Sequence, residues 1–91
     1  MPEEAKVEVV NPLGLHARAA AQLVRLAGTF KSQIRLTRLD NAIEADAKSI
    51  LSVLTLAAGR GTELILSVEG ADEKEAFNAV RKLFADGFGE I

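Results

Sequence analysis

His16 is the only histidine in a chain of 91 residues, and it stands in the run Gly14-Leu15-His16-Ala17-Arg18-Ala19-Ala20-Ala21. A glycine ahead of it frees the backbone, an arginine follows two residues later, and the alanine-rich apolar segment beyond reads as a helix. This spacing puts a lone imidazole near a helix N-terminus, where backbone N–H groups and the helix dipole favour anions. A neutral imidazole is a good nucleophile toward phosphorus, because an unperturbed pKa of about 6.5 leaves a free lone pair at neutral pH. A helix N-terminus disfavours the imidazolium and helps keep that lone pair free. After transfer, the same N–H groups and Arg18 would neutralise the phosphoryl oxygens. Phosphoryl transfer asks a protein mainly for positioning and charge stabilisation. The spacing equally accommodates a histidine that only caps the helix, with Arg18 in solvent.

What the chain lacks narrows the chemistry. It has no cysteine, which removes disulfides, thiolate zinc sites and thiol nucleophiles. One histidine without cysteine leaves no recognisable transition-metal cluster, so neither metal nor cofactor is expected. No glycine-rich loop of the Walker type and no Gly-x-Ser-x-Gly elbow occur in the sequence, so nucleotide binding and serine hydrolysis are not indicated. If His16 takes up a phosphoryl group, donor and acceptor must both come from elsewhere. That describes a carrier rather than a complete enzyme. Ser49 is a second candidate. Its hydroxyl is placed to cap a short helix, and a phosphate there would gain from the helix dipole while nearby Asp46 repelled it.

The elements that must position these residues follow from patterning. The length predicts a single domain over residues 1–91, burying roughly 60–65% of the surface of its unfolded chain. The apolar fraction of 48%, with no Trp or Tyr and four Phe, suits two thin layers rather than a large cofactor cavity. A net charge of −2 argues against nonspecific nucleic-acid binding. The charge is uneven: residues 1–38 hold six Lys/Arg and three Asp/Glu, whereas residues 39–91 hold five and ten. The positive half carries His16, and a mildly basic surface there would attract an anionic or phosphorylated partner. No apolar stretch approaches the ~20 residues of a membrane span, and the acidic start Met1-Pro2-Glu3-Glu4 is unlike a secretory signal. A cytoplasmic monomer with no membrane or nucleic-acid partner is expected.

Alternation predicts a strand over Lys6–Val10, ended by Asn11-Pro12, and a helix over Ala17–Ala27 closed by Gly28. Ile34–Thr37 and Ala42–Ala45 read as strands joined at Asp40-Asn41. Lys48–Leu56 reads as a short helix, apolar nearly all round at Ile50, Leu51, Val53, Leu54 and Leu56. Such a helix is either wedged deeply against the sheet or exposes a partner-binding patch. Glu63–Val68 is a fourth strand. Asp72 and Glu75 form a capping box for a last helix over Glu73–Ala85 that buries Ala76, Ala79, Val80 and Leu83, with Phe77 or Phe84. The order β-α-β-β-α-β-α predicts an α+β, open-faced two-layer sandwich: a four-stranded antiparallel sheet with three helices on one face.

In this order and spacing the chain resembles HPr, the histidine-containing phosphocarrier of the bacterial sugar phosphotransferase system. The resemblance rests on Gly14-Leu15-His16-Ala17-Arg18, Ala47-Lys48-Ser49-Ile50-Leu51, Gly61-Thr62 and Glu69-Gly70, and covers nearly the whole chain. It implies that His16 accepts a phosphoryl group on Nδ1 from Enzyme I, charged by phosphoenolpyruvate, and passes it to an Enzyme IIA domain. It further implies that Arg18 stabilises the group, that Ile50, Leu51 and Leu54 dock both partners, and that Ser49 matches the site of a regulatory HPr kinase/phosphorylase. Three departures stand out: Ala19 where the family usually has proline, Ala57 where it has glycine, and a longer turn near Leu39-Asp40-Asn41. An alternative is a regulatory paralogue acting as a binding module switched by phosphorylation at His16 or Ser49. A small hydrolase of the acylphosphatase type is a third reading, which the residue pattern does not favour.

Overall fold

Four segments in which apolar and polar residues alternate form the sheet of the computed structural model, which describes residues 2–90. They are β1 (Glu3–Glu8), β2 (Gln33–Arg38), β3 (Glu44–Asp46) and β4 (Glu63–Glu69), and their order in the sheet is β1-β4-β2-β3. All neighbouring pairs are antiparallel. β4 is thus inserted between β1 and β2, which run parallel to one another. The register sets Leu66 between Ala5 and Leu36, Leu64 against Val7, Val68 against Ile34, and Ala45 against Leu36. Because strand side chains alternate in direction, these residues share one face. Lys6, Arg35, Glu44, Asp46 and Ser67 take the other.

Three helices, α1 (Ala17–Gly28), α2 (Ile50–Thr55) and α3 (Glu73–Ala85), cover the apolar face. The core joins Ala20, Leu23 and Ala27 of α1, Val53 of α2, and Ala76, Val80 and Phe84 of α3 to the inward strand residues. Each fully buried Leu, Ile or Val contributes about 1.5–3 kcal/mol. The expected α+β open-faced sandwich is the fold observed. Among the described residues, no helix is long and apolar enough to cross a membrane.

Several boundaries differ from the sequence reading, each for a local reason. β1 begins at Glu3, since Glu3 and Glu4 still pair with Val68 and Ser67. β3 is confined to Glu44–Asp46 because Ala42, at φ +60°, turns the chain and its N–H bonds Arg38 O at 3.0 Å. Gly28 lies inside α1, and Thr29 caps it with an ordinary φ of −80°. The capping box does not form: Asp72, at φ −114° and ψ 34°, makes no side-chain cap bond. Its carboxylate accepts instead from Lys31 N (2.9 Å), Ser32 N (3.0 Å) and Ser32 Oγ (2.6 Å), tying the start of β2 to the start of α3. Glu73 supplies the backward bond, accepting from Gly70 N at 3.1 Å. In α3 both Phe77 and Phe84 are buried, while Ala79 and Leu83 are only partly so.

Ala57 follows α2 with φ +48°, a left-handed conformation that costs a residue bearing Cβ roughly 1–2 kcal/mol. Glycine adopts it without that cost. Ala57→Gly is therefore expected to raise unfolding stability by about 1 kcal/mol, measured by urea denaturation; an unchanged or lower midpoint would contradict strain at this position.

Candidate functional site

The loop between β1 and α1 is held at three points before it delivers His16. Asn11 is buried, its Nδ2 donating to Gly14 O at 2.8 Å while Gly14 N donates back to Asn11 O at 3.2 Å. Gly14, at φ +69°, approaches the α2–β4 loop so closely that a Cβ would lie 2.7 Å from Ala58 O and 2.8 Å from Gly59 Cα. Leu15 is buried, and its N–H donates to that same Ala58 carbonyl at 2.8 Å. This is the close approach for which the glycine is needed.

His16 is the N-cap of α1, extended at φ −72° and ψ 179°. Its carbonyl accepts the first helical bond from Ala20 N at 2.8 Å, and its ring Nδ1 accepts from Arg18 N at 3.2 Å. The first turn holds no acidic residue, so the positive end of the helix faces the ring without a neutralising carboxylate of its own. Arg18 is exposed and makes no ion pair among the described residues. The capping and solvated roles considered for these two residues are thus present, and they leave the Nδ1 lone pair aimed at the helix N-terminus.

The opposite edge of the ring meets a residue that the sequence reading missed. After α3 the chain makes a 3-10 turn over Gly87–Gly89, in which Phe88, at φ +55°, turns inward and is buried. Its ring stands edge-on to Phe84 at 5.0 Å and 71°, and its carbonyl accepts from Gln22 Nε2 at 3.3 Å. Phe88 anchors the tail and brings Glu90 onto His16, whose Nε2 hydrogen-bonds the carboxylate Oε2. The other oxygen accepts from Asn11 Nδ2 at 3.2 Å and, weakly, from Leu13 N at 3.4 Å. With an N–H facing Nδ1 and a carboxylate facing Nε2, the neutral ring carries its proton on Nε2. The His16 hydrogen bond holds the Glu90 carboxyl below the usual range; burial opposes this, and Asn11 and the Leu13 N–H reinforce it. The available signal was an aromatic between glycines just past a helix end, a pattern that folds a hydrophobic residue back onto the last turns.

α2 stands beside this loop. Val53 and Leu56 point inward, whereas Ile50, Leu51 and Leu54 are 39%, 74% and 37% exposed. Leu13, on the His16 loop itself, is 71% exposed and adds to the apolar surface. Both readings of the helix hold in part: one side is wedged in, the other uncovered. Ser49 caps α2, its Oγ accepting from Ser52 N at 3.3 Å. The adjoining turn is held by Asp46, whose carboxylate accepts from Lys48 N at 2.9 Å and whose N–H donates to Ser52 Oγ at 2.8 Å. At its other end Arg38 Nη1 donates to Leu56 O (2.7 Å) and Ala57 O (3.2 Å), while the same guanidinium pairs with Asp40. Ser52 and Arg38 thus position the patch without touching His16, and spacing alone did not point to either. Among the described residues no three His, Asp or Glu side chains group where a metal ion could be held.

The structure thus combines an open-faced sheet, a single imidazole capping the first helix and an uncovered apolar patch on the helix beside its loop. The family model for the HPr component phosphorylation site of the phosphotransferase system matches residues 3–86. The chain belongs to the HPr phosphocarrier family. It is 50% identical over 82 residues to phosphocarrier protein HPr of Cupriavidus necator, covering 90% of each chain. It is 46% identical over 85 residues to that of Pseudomonas aeruginosa, covering 93% of each. The fold matches the crystal structure of HPr-C-His from Thermoanaerobacter tengcongensis with a TM-score of 0.91, 39% identity and 98% of each chain covered.

The depressed Glu90 carboxyl has a pH consequence with a definite sign. Its folded pKa lies below its unfolded value, so its stabilisation is complete above the ordinary carboxylate range and is lost as pH falls through the lower, folded value. Between neutral pH and about pH 3, the urea midpoint of the native chain should fall more than that of Glu90→Gln. Parallel acid profiles for the two would contradict the assignment.

Proposed function

We propose that the chain is a phosphocarrier in which His16 accepts a phosphoryl group on Nδ1 from Enzyme I, charged by phosphoenolpyruvate, and passes it to an Enzyme IIA domain. The observation that carries this reading is the arrangement of the ring: Nε2 is occupied by Glu90, whereas Nδ1 offers its lone pair at the N-terminus of α1. A phosphoryl group on Nδ1 takes over the Arg18 N–H as an acceptor of its own. The exposed Arg18 side chain, two residues after His16, supplies a guanidinium to close over the phosphoryl oxygens. Family membership supports the same reading. The chain acts as a relay between partner enzymes and completes no reaction alone, working as a monomer in the cytoplasm.

Ile50, Leu51 and Leu54, continued by Leu13, form the surface on which both partners dock. Aliphatic side chains left uncovered beside the reacting atom exclude water from the transfer when a partner closes over them. Ser49 is the regulatory phosphorylation site for an HPr kinase/phosphorylase. A phosphate on its Oγ removes the cap bond to Ser52 N, sits near Asp46 and places charge at the edge of the apolar patch.

The test is phosphoryl uptake followed by intact mass. Enzyme I and phosphoenolpyruvate should add one acid-labile phosphoryl group to the native chain and none to His16→Ala. Absence of any gain by the native chain across a broad set of such enzymes would overturn the reading.

A further inference from the structure

The carboxylate on the far edge of His16 lies beyond the residues matched by the family model, which end at 86, and the transfer described above gives it no part beyond occupying Nε2. It is also held with some care. Asn11, fully buried, directs its Nδ2 to both Gly14 O and Glu90 Oε1, while its own Oδ1 finds no hydrogen-bond partner among the described residues. Leu13 N adds a second, weaker donor, and Phe88 fixes the backbone two residues earlier in the core. The side chains of His16 and Glu90 are 26% and 19% exposed, so their contact is shielded from much of the solvent.

We propose that Glu90 is a positioning residue for phosphoryl transfer, one that keeps the His16 proton on Nε2 and compensates the charge the ring acquires. The proposal rests on His16 being the phosphoryl acceptor. In the step itself the Nδ1 lone pair forms the new N–P bond while the bond from phosphorus to the donor breaks. The electron pair of that bond leaves with the donor. No proton moves: the Nε2 proton stays in place, and the ring becomes cationic. Glu90 is already ionised and hydrogen-bonded to Nε2, so the charge develops against a fixed counter-charge without rearrangement. On delivery the N–P bond breaks, its electron pair returns to Nδ1, and the neutral ring reforms with the same proton. A carboxylate bonded to one imidazole nitrogen while the other reacts performs the same service in hydrolytic triads. It also prevents the tautomer in which the Nδ1 lone pair is spent on a proton.

Two variants of the full chain separate orientation from charge. Glu90→Ala removes both, whereas Glu90→Gln keeps an oxygen that can accept from Nε2–H but carries no charge. The native chain should show a downfield, hydrogen-bonded His16 Nε2 proton by nuclear magnetic resonance. Glu90→Ala should lose this signal, Glu90→Gln should retain it, and both should accept phosphoryl groups about tenfold more slowly than the native chain. A native rate in Glu90→Gln, or survival of the downfield proton in Glu90→Ala, would overturn the proposal alone. Failure of the native chain to take up any phosphoryl group would overturn the relay reading, and this proposal with it.

Discussion

One imidazole is fixed at both nitrogens, and the rest of the molecule is arranged to make that possible. Arg18 N–H approaches Nδ1 from α1, while Glu90 approaches Nε2 from a tail more than seventy residues further along the chain. The first contact is local and comes with any residue that caps the helix. The second requires the β1–α1 loop and the end of α3 to meet, which only the folded sheet ensures. The interleaved strand order does this. β1 and β4 are neighbours, α3 packs on both, and the chain leaving α3 is delivered beside the loop leaving β1.

The loops around the site are tied to one another as well as to the core. Gly14 and Leu15 lean on Ala58 and Gly59, so the His16 loop is held directly against the segment that follows α2. Arg38 holds the last carbonyls of α2 from β2. The apolar patch and the imidazole are therefore presented at a fixed offset. The proposed relay would benefit from that rigidity, because each partner would have to bring its own reactive group to the same nitrogen. Ala57 retains the left-handed turn that joins these parts, at some conformational cost. Ala19 stands buried in the first turn of α1 and packs into the core, so the helix entry is held by packing where proline would have held it by a fixed dihedral.

Much of the fold was legible because two-fold and 3.6-fold periodicities are local properties of the chain. Element types and order and the capping role of Ser49 were readable in this way, whereas the all-round apolar pattern of α2 left a wedged and an exposed helix equally open. Residues whose roles depend on distant partners were not. Asp72 looked like a helix cap on spacing, yet its carboxylate is engaged by Lys31 and Ser32, forty residues away in the chain. Glu90 looked like one more acidic residue near the end of the chain, because nothing in its neighbours reports that Phe88 folds inward and carries it onto His16. Arg38, just past the strand read over Ile34–Thr37, carried no local signal either, while its guanidinium reaches the end of α2. Spacing could place His16 at a helix start; it could not say which nitrogen kept its lone pair and which carried the proton.

That last point is the centre of the account and can be examined directly. With ring nitrogens labelled, the coupling between nitrogen and phosphorus in the phosphorylated chain identifies the atom that carries the group. The proposed relay predicts coupling to Nδ1 of His16, with Nε2 still protonated. A phosphoryl group found on Nε2, or on any other side chain, would contradict it.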